Sequence, residues 1–242
     1  MIHLNNMSLD IRVVLVEPLY QGNVGSVARA MKNFGFSELI LVNPCELEVE
    51  ARAMSSHAWD ILQGATIVPT LKDAIGGASI VIGTTGIAGV RFDRHLRVPA
   101  YSPREIKAHL SGAEGTVAVL FGREDHGFSR EELRMCDMIM TIPTSDTYPV
   151  MNMSHAVAVV LYELSGIEAG KNRLAEASDI SLFYDHLFQL LDDIGYPVHK
   201  KEKTRLMLKR IFGRSVLLER EVQTLRGVVR RIQRNLDRDK RH

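Results

Sequence analysis

The sequence of 242 residues is poor in the features that usually announce a chemistry. Its two cysteines, Cys45 and Cys136, lie far apart with no Cys-x-x-Cys pair, which argues against a disulfide framework and a thiolate zinc site. His57, His95, His126 and His155 fall at no metal-ligand spacing. His126 reads as a loop-surface residue and His155 as a helix-start residue, so no metal is expected. Neither Gly-x-Gly-x-x-Gly nor Gly-x-x-x-x-Gly-Lys occurs, which weakens the dinucleotide-fold and phosphate-loop readings. The opening MIHLNNMSLDIR carries Asp10 and lacks a basic start followed by an apolar stretch, so no secretory signal is expected. The longest uncharged stretch, Ala74 to Val90, is rich in Gly and Thr and falls short of the roughly 20 apolar residues a membrane span needs. A cytoplasmic protein with no membrane partner is the expectation. Internal repeats and low-complexity tracts are also lacking.

What is present is an ordinary globular composition, 45% hydrophobic and 24% charged, with room for one large domain and a smaller one. The net charge of +1 hides an asymmetry. Up to residue 170 there are 13 Lys and Arg against 19 Asp and Glu; after it there are 17 against 10. A basic tail of this kind is either a solvated helical surface or an electrostatic footprint for nucleic acid.

Along the first 166 residues short β-branched runs alternate with amphipathic stretches, the form of parallel strands joined by crossover helices. Strands are predicted at 11–17, 38–43, 79–84, 116–122 and 138–142, with a weaker one at 66–69. Their unbroken hydrophobicity implies burial on both faces. Helices are predicted at 24–34, 52–63, 103–110, 129–135 and 153–165, with Trp59 and Met54 packing in the core. Ser129 and Glu132 read as a capping box, and Gly35 as a helix C-terminal cap. Residues 167–179 read as a linker. From 180 to 242 apolar residues recur at helical spacing without a strand signal, which predicts a small all-helical basic extension. Arg226, Arg230, Arg231 and Arg234 recur at helical neighbour spacing and could follow a phosphate backbone, while Leu225, Val228, Val229 and Ile232 need cover.

Three polar clusters stand out. The first follows the opening strand: Glu17, then Gln21-Gly22-Asn23-Val24-Gly25-Ser26, with Arg29 about a turn into the helix. Glycines between a strand and a helix let backbone amides approach an anion or a ribose, although a tight turn with a surface arginine fits as well. The second, Phe121-Gly122-Arg123-Glu124-Asp125-His126-Gly127, sits at a strand's C-terminal end, where open α/β sheets place ligands. Its bland alternative is that Arg123 and Glu124 pair with each other. The third, from Ile142 to Ser154, is an uncharged Ser/Thr/Asn loop suited to a purine edge, in which Asn152 and Ser154 could equally cap the next helix.

Together, Asn23, Gly25, Ser26, Arg29, Phe34 and Gly35, then Phe-Gly-Arg-Glu-x-x-Gly at 121–127, then Ile142-Pro143 and Asn-x-Ser-x-Ala at 152–156, resemble motifs one, two and three of the SPOUT methyltransferases, in the family's order. The tail runs Leu208-Lys-Arg-Ile-Phe-Gly-Arg and Leu225-Arg-Gly-Val-Val-Arg-Arg look like the extension of that superfamily's TrmJ branch, whose members methylate the ribose of tRNA nucleotide 32. The resemblance implies an α/β trefoil-knot domain with a mostly parallel sheet, a homodimer with a composite active site, S-adenosylmethionine as methyl donor and tRNA rather than DNA as partner. Periodicity alone would have given an unknotted sheet.

Carried over by position, the resemblance implies cofactor contacts from Thr84, Thr85, Gly86, Gly122, Ile142, Pro149, Val150 and Met151, mostly through backbone groups. Arg29 is the implied catalytic residue. Asn23, Ser26, Arg123, Glu124 and Asn152 would shape the pocket, with Glu124 fixing Arg123 or the cofactor ammonium. Two departures matter. Pro149-Val150-Met151 replaces the usual serine and leucine, and the loop at Gly83–Gly86 lacks a common arginine that Arg91 or Arg94 would have to replace. The alternatives are a ribosomal RNA methyltransferase, an RNA-binding module without chemistry and a nicotinamide-dependent oxidoreductase. Removing the tail is expected to weaken RNA binding and spare cofactor affinity.

Overall fold

The structure is a computed structural model that describes residues 8–87 and 99–239. Arg91, Arg94 and His95 lie outside the described residues, as does part of the chain by which a knot would be traced.

Among the described residues seven strands form one sheet: β1 (Leu9–Val16), β2 (Leu39–Val42), β3 (Thr66–Val68), β4 (Ile80–Thr84), β5 (Ala100–Tyr101), β6 (Ala113–Phe121) and β7 (Met138–Met140). Their order is β3-β2-β1-β6-β4-β7-β5, and every neighbouring pair is parallel. An eighth, β8 (Asn172–Arg173), pairs with the first two residues of β6. The unbroken apolar strands are explained by alternation onto two covered faces. Val13 and Leu15 of β1, Val117 and Val119 of β6, and Ile82 of β4 join one core cluster; Val14, Val16, Ala118, Leu120 and Val81 join another.

The two faces are covered unequally. The first lies under α1 (Gln21–Asn33), α3 (Trp59–Gln63), α5 (Pro103–Leu110) and α7 (Met153–Leu164), with α2 (Val49–Ser55) packed on α1. The second is met by α4 (Leu71–Ala74) and α6 (Arg130–Met135), which contribute Leu71, Ala74 and Leu133. Both ends of the helices behave as their residues dictate. Ser129 and Glu132 form the expected capping box, Ser102 and Glu105 form a second one, and Gly35 follows α1 at φ +80°.

The expected helix at 52–63 is broken instead: α2 starts at Val49, a single 3₁₀ turn occupies Ser56–Ala58, and α3 follows. Ser56 at φ +52° is the break. Met54, expected in the core, is 46% exposed, while Trp59 is half-buried beneath the Arg52 guanidinium. The short α4, β5 and β8 carry too few residues to show a period, and periodicity does not find them.

Residues 167–179 are not a free tether. Leu174 and Ala175 are fully buried, and Gly170 lies so close to Gly112 that a side chain could not be inserted. The tail then forms α8 (Ala177–Asp193), α9 (Val198–Arg214) and α10 (Glu219–Asp239). Phe183, Tyr184, Val222 and Val229 make its small core, with Phe212 edge-on to Phe183 at 5.0 Å. Among the described residues no helix is long and apolar enough to cross a membrane.

Candidate active site

β6, β4 and β7 are adjacent and parallel, so the loops that leave their C-terminal ends emerge side by side. A cavity of about 330 Å³ opens between them. Thr84, Thr85, Gly86, Gly122, Ile142, Pro149, Val150 and Met151, the eight positions expected to meet a cofactor, all line it. Arg123 and Glu124 line it too, together with Asp125, His126, Phe128, Leu133 and Met140.

The walls are backbone and apolar surface for a reason visible at each position. The Thr84 hydroxyl is used up on the Leu120 carbonyl at 2.8 Å, and the Thr85 amide donates to Met140 at 2.9 Å, which ties the loop after β4 to both neighbouring strands. A Cβ on Gly86 would stand 3.3 Å from Val150 across the cavity. On Gly122 it would stand 2.7 Å from the Gly127 backbone, where the loop folds back and Gly127 takes φ +66°. Glycine at 122 is therefore a condition of the loop's closure.

Arg123 is the most heavily engaged side chain in the region. Its Nε donates to Glu17 at 2.8 Å, and its Nη1 and Nη2 each donate to Glu132 at 3.0 Å. The two carboxylates hold the guanidinium pKa well above its ordinary value, with the Glu17 hydrogen bond the largest cause. In return the Arg123 hydrogen bond lowers Glu17; for Glu132 burial works upward but is outweighed by Arg123 and the Ser129 amide. Glu17 sits at φ +46°, a strained conformation for a residue with a side chain, immediately after β1.

This decides between readings the sequence left open: Arg123 does not pair with Glu124, and Glu124 does not fix it. Glu124 instead accepts from the Leu19 amide and from Asn23 Nδ2, both at 2.9 Å. Asn23 in turn accepts from Asn152 Nδ2 at 3.1 Å, and Asn152 caps α7 by accepting from the Ser154 amide at 2.9 Å. One side-chain chain thus joins all three motifs. Sequence reasoning placed Asn23, Glu124 and Asn152 near one another but missed Glu17 and Glu132 as partners; the only signal was Glu132's place in the capping box.

Asn23, Ser26, Asn152 and Arg29 do not line the cavity. Arg29 is exposed on α1, roughly 9 Å along the helix from Asn23 at 1.5 Å per residue, and has no ion-pair partner among the described residues. The motif-one glycines also bear on helix packing. A Cβ on Gly22 would stand 2.5 Å from Glu50, and one on Gly25 would collide with the Ala51 carbonyl and Met54. Gly25 lets α2 pack on α1, whereas at Gly22 only the flexible Glu50 carboxylate would have to move. The Asp125–His126 contact, 2.5 Å, is exposed at the cavity rim, and His155 is exposed at the start of α7. Among the described residues no group of three or more His, Cys, Asp or Glu could hold a metal.

Among the described residues the cavity wall carries Glu124 and Asp125, with His126 beside Asp125, and one guanidinium, Arg123, that is paired with Glu17 and Glu132. The Glu124 and Asp125 carboxylates are the described acidic groups that a cationic ligand in the cavity could meet.

Comparison with known proteins agrees with this layout. Residues 10–162 match the model of the SpoU rRNA methylase family, and residues 178–241 match the C-terminal domain of the tRNA methyltransferase TrmJ. The tRNA (cytidine-2′-O-)-methyltransferase TrmJ of Methanocaldococcus jannaschii is 39% identical over 90% of this chain and 98% of that protein. The tRNA (cytidine/uridine/adenosine-2′-O-)-methyltransferase TrmJ of Pseudomonas aeruginosa is 37% identical over 93% and 94%. Among solved structures, TrmJ from Z. mobilis superposes with a TM-score of 0.70 at 28% identity, covering 92% of this chain and 98% of that one. The fold, the three motifs at the strand ends and the helical extension together place the chain in one group: it belongs to the SpoU rRNA methylase family of RNA methyltransferases, in the branch that carries the TrmJ C-terminal domain.

Proposed function

We propose that this protein transfers the methyl group of S-adenosylmethionine to a ribose 2′-hydroxyl of tRNA, at nucleotide 32 of the anticodon loop, with cytidine the first substrate and uridine the second. The observation that carries the reading is the cavity at the ends of β6, β4 and β7, walled by backbone and apolar groups with Glu124 and Asp125 among its lining residues. A sulfonium nucleoside fits such a wall: the rings meet backbone and apolar groups, and the cationic centre meets a carboxylate-rich rim. S-adenosylmethionine, when bound, supplies an electrophilic methyl group.

The chain's own residues then have three tasks. Gly86, Gly122 and the segment Pro149–Met151 bind and orient the cofactor. The Glu124–Asn23–Asn152 chain holds the start of α1 against that pocket, so the acceptor and the donor share one frame. Arg29 holds the target phosphate and turns the 2′-hydroxyl toward the methyl carbon. A guanidinium is a poor proton acceptor, so Arg29 positions rather than deprotonates.

Arg29 stands exposed and outside the cavity of its own chain, which fits a homodimer whose sites are completed by both copies. Exposed Leu19, Tyr20, Val49 and Met54 lie on and beside the α1–α2 pair and offer apolar surface for such contact. Relatives that name cytidine alone and ones that name three bases share similar identity with this chain, so the base is read by details that the family does not fix.

The test is transfer of labelled methyl to unmodified tRNA transcripts, with and without a 2′-deoxyribose at nucleotide 32. Loss of label on deoxy substitution is expected. Persistent label would move the target elsewhere, and label on ribosomal RNA alone would replace tRNA as the substrate. In the same assay Arg29→Lys should lower the rate uniformly across pH, because positioning does not titrate; an altered pH profile would make Arg29 a proton carrier.

A further inference from the structure

The helix α6 has six residues, too few to be stable by itself, and yet it touches the cavity at two points. Leu133 forms part of the wall, and Glu132 holds Arg123. Its N-terminal end is secured by the Ser129 capping box. Its C-terminal end is secured from the tail: Lys209 Nζ of α9 donates to the carbonyls of Met135 at 2.6 Å and Arg134 at 3.3 Å, and Arg210 Nη2 donates to that of Leu133 at 2.8 Å. Three carbonyls that a helix end leaves open are thus taken by two cations from another unit, at the pole where the helix dipole favours positive charge.

The contact is close and buried. Gly213 of α9 passes Asp137 so tightly that a Cβ would stand 2.7 Å from the Asp137 Cβ and 2.8 Å from its carbonyl oxygen. Asp137 accepts from the Val81 amide at 2.9 Å and has Lys209 Nζ at 3.7 Å. Burial pushes its carboxyl upward and Lys209 is the leading opposing influence. This is also the thinly covered face of the sheet, which α4 and α6 otherwise shield with one short helix each.

We infer that Lys209 and Arg210 are positioning residues for the methyl-donor pocket, acting through α6, so that the helical tail sets cofactor affinity as well as meeting RNA. The inference rests on S-adenosylmethionine as the occupant of the cavity. It runs against the expectation that the tail can be removed without touching cofactor affinity. Because α9 belongs to the same small core as the basic α10, RNA held by the tail and cofactor held by the pocket share one connecting element, and each should tighten the other.

The experiment uses the full chain. Lys209→Met, Lys209→Arg and Gly213→Ala are compared with the unaltered protein for S-adenosylmethionine Kd by calorimetry, cofactor-free tRNA Kd by filter binding, and melting temperature. Lys209→Met should weaken cofactor binding about tenfold, a size typical of coupling through a packed element, with Lys209→Arg restoring it. Gly213→Ala alters no charge but pushes α9 from Asp137, and should weaken the cofactor in the same direction even if Lys209→Met fails to fold. A lower melting temperature with unchanged cofactor Kd in both variants would reduce the contact to scaffolding and overturn the inference. A tRNA Kd that alone responds would make Lys209 an RNA contact and overturn it equally. Unaltered protein that binds no S-adenosylmethionine would instead strike at the identity of the occupant.

Discussion

The loop after β6 and the helix α10 use arginine in opposite ways. At the loop, Arg123 is closed on Glu17 and Glu132 and only 12% of its side chain is exposed. On α10, Arg230, Arg231 and Arg234 are exposed, and α10 covers only part of its apolar side: Val222 and Val229 are buried while Val228 is 53% and Ile232 41% exposed. Arg226, although spaced like its neighbours, belongs with the closed kind, buried and paired with Asp179. A guanidinium whose donors are already taken organises backbone; one with open donors is free to meet phosphate. Arg29 is of the open kind, in the same domain as the closed Arg123.

The comparison breaks first at Arg123. Arg123→Met leaves Glu17 and Glu132 without their cation, and should cost about 3 kcal/mol of stability in denaturant titration and most of the cofactor affinity. Retained stability and binding would mean that the closed pair is dispensable. On the open side, replacing Arg230, Arg231 and Arg234 together by Gln should leave stability within about 0.5 kcal/mol. It should weaken tRNA binding and reduce the slope of log Kd against log salt by about one for each phosphate no longer engaged. An unchanged salt slope would move the RNA path elsewhere.

The smallest effect is in acid. Glu17 and Glu132 both titrate below the ordinary value of 4.5 in the folded protein. The stability they contribute is complete above that value and is lost as pH falls through their depressed values, where protonation releases Arg123. Glu17→Gln should flatten the acid limb of the melting temperature against pH; an identical limb would show that the clamp does not govern it.

How far the sequence could be read follows the same division. Continuous apolar strands, the capping box at Ser129 and the helical tail were legible because each repeats a period or a fixed offset. The eight cavity-lining residues were legible only through resemblance, since Thr, Gly, Pro and Val carry no chemistry of their own. Glu17 and Glu132 were hidden because they lie 115 residues apart and meet only through the order β1-β6 in the sheet. The part that Gly25 plays in helix packing was not legible, because a glycine required by a neighbouring helix and one required by a ligand look alike in a sequence; the Ala51 carbonyl beside it shows the first. Met54 lies at the contact of α2 with Gly25 of α1 and remains 46% exposed, a placement set by how two helices meet, which apolarity by itself does not show.

The margins of the sheet carry one more consequence. Among the described residues its outermost strands, β3 and β5, have three and two residues, although the central β6 has nine. An open parallel sheet exposes unpaired amides and carbonyls at both borders, and a long border would template addition of a foreign strand. These two are too short to offer a register, even though Ile67 on β3 is 64% exposed. The molecule can therefore keep a fully apolar sheet interior and still resist edge-to-edge polymerisation, and lengthening β3 with alternating Val and Thr should be the quickest way to make it aggregate.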